Sequence, residues 1–399
     1  MANNLITSQL VSKLFLARFT ASNAFLNTGS RGLEGDFTQK AYDMGQTVAI
    51  RKRNRFKAGD GLVATVKDIN DATEQVNLNH VYNVPIALTS LEEGYSISDF
   101  TEQVIIPAVD AINAQMNADI YQAALTQLNY AYGSASSALS QSTIFGAQAF
   151  MRKLQIPSRD RVLVASPDAC ANLNTTLYNT FNEKFNDDII LEGELGQFAG
   201  FRIFEDETVT PFATVSPIPG SPVLSVSSTS GDSSITISGL PNSTANVLIA
   251  GDIITINNVY SVTPLSYKST GSLMTFVVTA NASSNGSGVA TVQISPNIIF
   301  DTTNSRQNVN TQPLSGAQVV KVASATHNIA FHPSGLDIVC PPLPKLNSPI
   351  SEVSYDPRYN VAVRLSAGAD ILQSQNIYRL DVLCGFKWHQ EYALRVLSL

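Results

Sequence analysis

Three groups of residues in this 399-residue chain are of types that can do chemistry. His327, His332 and Asp337 could bind a metal or relay a proton, but their spacing fits no common ligand motif, and His332 precedes Pro333 in turn-like sequence, so a structural role is expected. Asp187, Asp188, Glu192 and Glu194 could in principle supply an acid and a base for hydrolysis; a solvated loop is the expected reading. His80 and His389 are isolated, each beside aromatic or aliphatic residues, and Trp388 with Phe386 and Tyr392 reads as an aromatic core or interface cluster. The phosphate loop, the H-E-x-x-H helix and the G-x-S-x-G elbow are all absent from the sequence. Gly193, Gly196 and Gly200 depart from the dinucleotide-binding spacing and suit tight turns. The expectation is a protein that is not an enzyme and takes no cofactor or metal. Cys170, Cys340 and Cys384 are odd in number and far apart, which supports neither a disulfide framework nor a zinc site and points to folding in a reducing cytoplasm.

The third group is basic. Arg51-Lys-Arg-Asn-Arg-Phe-Lys57 follows the strand-like Thr47–Ile50, and a period of two puts Arg51, Arg53, Arg55 and Lys57 on one face, with Val48, Ile50 and Phe56 on the other. Three readings compete: a solvated edge guarded by charge, a strip facing carboxylates such as Glu92, Glu93, Asp187 or Glu192 on a neighbouring subunit, and a nucleic-acid contact. The intersubunit strip is preferred. Nucleic acid ranks last, because stacking aromatics are sparse around the run and the net charge is −7.

The elements that must position these residues change character along the chain. Residues 1–30 read as an arm with one amphipathic helix presenting Ile6, Leu10, Leu14 and Ala17. Its apolar run has no basic leader and is broken by Lys13 and Arg18, so no secretion signal is expected. No stretch of the sequence is long and apolar enough to span a membrane. Thr47–Phe56 and Gln75–Leu88 read as the two sides of a long hairpin, which cannot bury both faces alone and is expected to need a partner surface on another chain. A long helix is predicted from about Asp99 to Leu128, with Asp99 and Glu102 as a capping pair and Pro107 either kinking it or marking its first turn. Helices at Thr143–Gln155 and Pro167–Leu177 and strands at Arg161–Ala165 and Phe201–Phe204 follow. From Thr208 to Phe300 only Asp232, Asp252 and Lys268 carry formal charge, and short Ser/Thr-rich strands alternate with Gly, Asn and Pro, the pattern of a small β-barrel or sandwich. This module interrupts an α+β or α/β parent, which resumes at Asn328–Phe331 and Leu336–Cys340 and closes with strands over Tyr378–Leu397.

Segments Gly193–Asp206, Gly251–Tyr260, Phe276–Thr279, Gly288–Pro296, Asn308–Thr311, Ala330–Pro344 and Leu383–His389, taken in order, resemble a tailed-bacteriophage major capsid protein of the Hong Kong 97 type. More closely, they resemble the podovirus coat-protein branch, in which a β-barrel domain interrupts the A domain. The resemblance implies an α+β fold divided into an N-terminal arm (1–30), an extended hairpin or E-loop (31–90), a peripheral (P) domain with a spine helix (91–142), an A domain (143–212 and 301–350) interrupted by a barrel-like insert (213–300), and C-terminal strands completing the P/A core (351–399). It also implies the function: an icosahedral head shell, built in the host bacterial cytoplasm, that encloses double-stranded DNA without sequence-specific binding. The implied partners are copies of itself in hexamers and pentamers, a scaffolding protein and a portal, with no membrane. The alternative from another class is a β-rich carbohydrate-binding or adhesin-type protein, with the insert as its recognition module.

Overall fold

The computed structural model describes residues 8–22, 24–30, 44–51, 55–57, 73–89, 104–178, 196–214, 218–347, 350–356, 361–370 and 375–399. Ile6, Arg53, Glu92, Glu93, Asp99, Glu102, Asp187, Asp188, Glu192, Gly193 and Glu194 lie outside them. The chain divides into two compact units, one of residues 1–52, 72–120 and 336–387 and the other of residues 53–71, 121–335 and 388–399.

The first unit holds α1 (Ser8–Ser22), α2 (Ala24–Thr28), β1 (Thr47–Arg51), β2 (Thr73–Asn77), β3 (His80–Thr89), β16 (Leu336–Val339), β17 (Ile350–Asp356), β18 (Val361–Asp370) and nearly all of β19 (Gln375–Trp388). Strands run in the order β16-β19-β18-β17, with β3 antiparallel to β19 from Gln375↔Thr89 to Cys384↔His80. The expected hairpin is therefore divided. β1 pairs with β2 from Thr47↔Asn77 to Arg51↔Thr73, while the residues after His80 leave for β19. The β1–β2 pair buries one face, Val48, Val76 and Leu78 against Val339 and Leu383.

Helix α1 packs on β17 and β18 through a different face from the one expected. Phe15, Leu16 and Phe19 are buried, whereas Leu14 is half-buried and Ala17 exposed. Two phenylalanines one turn apart, stacked with centroids 6.0 Å apart, bury far more apolar area than a leucine and an alanine and so decide which way the helix turns. Asp381, fully buried on β19, accepts Arg364 Nη2 at 2.7 Å and Nε at 3.2 Å, and Arg379 Nε at 2.7 Å. The two cations compensate the desolvation of one buried carboxylate.

Helix α3 (Ile106–Gln127) has Pro107 in its first turn, where the missing N–H has no intrahelical partner to lose. Its second part, from Tyr121, begins the described α3 portion of the second unit. That unit also contains β4 (Ala131–Gly133), α4 (Gln141–Lys153), β5 (Arg161–Ala165), α5 (Pro167–Tyr178), β6 (Gln197–Phe198), β7 (Phe201–Glu205), β8 (Pro211–Phe212), β15 (Ala325–Phe331) and β20 (Ala393–Ser398). Strands run β4-β20-β15-β5-β7-β6, with β8 also on β15. β5 is buried throughout because β15 lies on one side and β7 on the other, with α4 and α5 contributing to the same core. Ser140 caps α4 by accepting the Thr143 N–H.

The charge-poor stretch forms a second sheet in this unit from β9 (Val223–Leu224), β10 (Ser234–Ser238), β11 (Ile253–Val262), β12 (Ser269–Val278), β13 (Ala290–Ser295) and β14 (Val319–Lys321), in the order β14-β11-β12-β13-β10-β9. The Leu224 N–H donates to Ala317 at 2.8 Å, Val319 to Pro222 at 3.0 Å and Gly316 to Leu224 at 2.7 Å. These bonds join the two edges, so the six strands close into a ring and no long edge is left for aggregation. Alternating residues point inward, Ile235 and Ile237 against Val292, Ile294, Met274 and Phe276. The ring extends to Lys321, past Phe300. The charges that return at Asp301 and Arg306 lie on the connection before its last strand.

Candidate functional site

Among the described residues no three His, Cys, Asp or Glu side chains gather to hold a metal, and no helix is long and apolar enough to cross a membrane. His332 accepts the Ser334 N–H through Nδ1 and so belongs to the turn before β16, while His327 is buried on β15. The polar groups of the second unit converge instead where the ring joins the parent sheet.

At the centre is Arg395, fully buried on β20. Its Nη2 donates to the Leu128 carbonyl at 2.6 Å and to the Leu125 carbonyl, and its Nη1 donates to Gly251 at 2.9 Å. Leu125 and Leu128 are at the C-terminal end of α3, where free carbonyls and the helix dipole favour a cation. Gly251 is in the ring, just before β11. One planar guanidinium thus fastens helix, ring and closing strand, a geometry the point charge of lysine cannot reproduce. Burial lowers the Arg395 pKa to about 9, opposed by Tyr121 and Asp252, so it remains charged at neutral pH. His327 Nδ1 lies 3.4 Å from Arg395 Nη1; burial first, and this guanidinium second, push its pKa well below the usual imidazole value.

A second fastening closes the neck of the ring. Lys321 Nζ meets Asp252 Oδ2 at 3.2 Å and donates to Thr214 Oγ1 at 2.8 Å, with both charged side chains almost fully buried. Thr214 donates to Asp252 Oδ1 at 2.5 Å, and the Ile249 N–H to Oδ2 at 2.8 Å. The Thr214 N–H also donates to Ser324 Oγ, which in turn donates to the Thr214 carbonyl, so the segments that enter and leave the ring lie side by side. Asn129 Nδ2 donates to Thr275 on β12 at 3.0 Å, and Gln390 Nε2 joins the Gln127 carbonyl to Ser295 Oγ on β13. The Arg395, Asn129 and Gln390 contacts link the ring to the frame that carries it, and the Asp252, Lys321, Thr214 and Ser324 contacts close its neck.

The predicted basic face divides. Arg51 pairs with Thr73 in the β1–β2 ladder. Arg55 Nη2 forms an ion pair with Glu391 Oε2 at 2.9 Å, and Lys57 Nζ sits 4.5 Å from the Tyr267 ring centroid and donates to the Thr302 carbonyl. Arg55 and Lys57 thus have partners within their own chain. Sequence reasoning passed over Arg395. The signal was there: a lone arginine in the otherwise apolar run Ala393–Leu397.

Residues 225–390 match the family model described as P22 coat protein, gene protein 5. Over those residues the chain is similar to the phage coat proteins of that family. The matched span begins in the ring, takes in Asp252, Lys321 and Ser324 at its neck and ends after β19, short of Arg395 and β20. The carbohydrate-binding alternative finds no support in this match. Solved structures similar to this chain include one from Mycobacterium phage Che8, 12% identical, covering 94% of this chain and 90% of that one with a TM-score of 0.46. The capsid of Cyanophage P-SCSP1u is 12% identical, covering 91% and 85%, with a TM-score of 0.42. The CUS-3 coat protein I-domain is 24% identical, covering 26% of this chain and 95% of that domain, with a TM-score of 0.20. No curated protein matches the chain.

Proposed function

We propose that this chain is a phage major capsid protein with the Hong Kong 97-type arrangement of N-terminal arm, E-loop, spine helix and A domain, and that its ring is the domain inserted into the A domain. In this reading it assembles in the host cytoplasm as hexamers and pentamers of an icosahedral procapsid and then encloses double-stranded DNA. A scaffolding protein and a portal are its assembly partners, and it performs no catalysis. The observation that carries the reading is the family match running from the ring through Lys321 and Ser324 at its neck to the end of β19. The buried polar ties at Arg395 and Asp252–Lys321 support a ring that stiffens the subunit, as a shell bearing internal load requires.

The intersubunit strip is part of the proposal in narrower form. Arg55 and Lys57 anchor the basic segment within the subunit, and Arg51 and Arg53 carry the charge offered to a neighbour. Several modest contacts per subunit, repeated round each capsomer, make a stable shell. The test is to express the chain with its neighbouring phage genes and sediment the lysate on a sucrose gradient. Fast, uniform particles are expected; material that stays at the sedimentation rate of free subunits in every combination would refute the proposal.

A further inference from the structure

The neck of the ring holds an amine and a carboxyl face to face, out of reach of solvent. β14 pairs antiparallel with β11 so that Lys321 stands opposite Ile254, and Asp252, two residues before Ile254, is its diagonal neighbour on the same face. The side chains of Lys321 and Asp252 are 1% and 0% exposed, and Lys321 Nζ lies 3.2 Å from Asp252 Oδ2. Asp252 Cγ is one bond beyond that oxygen, so nucleophile and acyl carbon are held where proximity replaces diffusion. Thr214 bridges the pair: its Oγ1 accepts from Nζ at 2.8 Å and donates to Asp252 Oδ1 at 2.5 Å. The Ile249 N–H donates to Oδ2 at 2.8 Å.

We infer that Asp252 and Lys321 are a self-modification site, at which the two side chains condense to an amide. A proton passes from Nζ to Thr214 Oγ1 as the Thr214 proton passes to Oδ1, leaving a neutral amine and a carboxylic acid. The Nζ lone pair attacks Cγ, and the negative charge that develops on Oδ2 is held by the Ile249 N–H. The bond from Cγ to Oδ1 then breaks, and Oδ1 leaves as water with its own proton and a second one from the nitrogen. An ammonium and a carboxylate thus become one amide and one water, with no oxidant, reductant or cofactor. Burial supplies the driving force: each charge kept from water bears a desolvation cost, and the neutral amide abolishes both. The bond joins the start of β11 to the end of β14, so a pull on the chain leaving the ring passes from Lys321 to Asp252 without loading the strands between. The site is made of residues of the ring and its neck alone, so it holds whether or not the chain builds shells.

The experiment is intact-mass measurement and tryptic mapping of the purified full-length protein. The expected result is a chain lighter than its sequence by one water, uncut by trypsin after Lys321, with a branched peptide joining that stretch to the one containing Asp252. Wild-type protein suffices for this result, so a variant that fails to fold cannot obscure it. Asp252→Ala and Lys321→Arg should each remove the branch and the loss of water. Thr214→Val should slow condensation roughly a hundredfold, the lower end of what a positioned proton relay contributes, and Thr214→Ser, which keeps the hydroxyl, should restore it. A chain of full mass that trypsin cuts after Lys321, or a loss of water that maps to any other residue, would overturn the proposal. Condensation of Thr214→Val at the wild-type rate would overturn the relay.

Discussion

Replacing Arg395 by methionine keeps much of the side chain's length and removes every donor. It leaves the carbonyls of Leu125, Leu128 and Gly251 without this partner in a dry interior, each at a cost of about 1–3 kcal/mol. Relief from burying a charge offsets part of that sum. The expected net loss is about 2–4 kcal/mol, seen as a lower urea midpoint, and Arg395→Lys should recover little of it because a single nitrogen cannot span the carbonyls that Nη1 and Nη2 reach separately. His327 gives the same region a pH dependence. Its folded pKa is depressed, so the unfolded chain binds the extra proton; the stability from neutral His327 is complete above about pH 6.5 and is lost as pH falls below it. The slope from this one group is about 1.4 kcal/mol per pH unit. Urea midpoints measured from pH 7 down to pH 5 should fall for the wild type and fall less for His327→Gln. Equal slopes for the two proteins would remove His327 as the cause.

The ring is the element with the clearest independent existence. Its edges bond to each other, its core is its own, and its two chain ends meet at Thr214 and Ser324. Residues 213–325 expressed alone should therefore unfold in a single cooperative transition with a β-type circular dichroism spectrum; a disordered spectrum would contradict this. Removing the ring should weaken the remaining chain, since Arg395 then loses Gly251 and Asn129 loses Thr275. Much of the ring was legible in the sequence, because Ser234–Ser238 alternates as a half-buried strand must and loses its meaning if shifted by one residue. Its C-terminal limit was not legible. Charge returns at Asp301 and Arg306 on the last connection, whereas the last strand is only Val319–Lys321. The face of α1 and the division of the hairpin were also hidden. Phe15 and Phe19 outweigh a neater leucine–alanine stripe, and β3 takes β19, over two hundred residues away, as its partner. Periodicity reports which residues are apolar, not which of two apolar surfaces offers the larger burial.

For the whole molecule, the ties to Glu391, Tyr267 and Thr302 mean that charge reversal in the basic segment acts at two levels. Arg55→Glu breaks a half-exposed pair worth at most about 1 kcal/mol, so its effect on subunit stability should be small. Reversing Arg51, Arg53 and Arg55 together should leave the subunit folded by circular dichroism yet prevent sedimenting particles; normal particles would dismiss the intersubunit strip. Shell formation itself is most directly tested by electron microscopy of the protein produced with its neighbouring phage genes, followed by reconstruction of any particles. The account predicts closed shells of uniform size with icosahedral symmetry, every subunit carrying a ring density fastened at the end of its longest helix. Only free subunits, or open aggregates without symmetry, would contradict it.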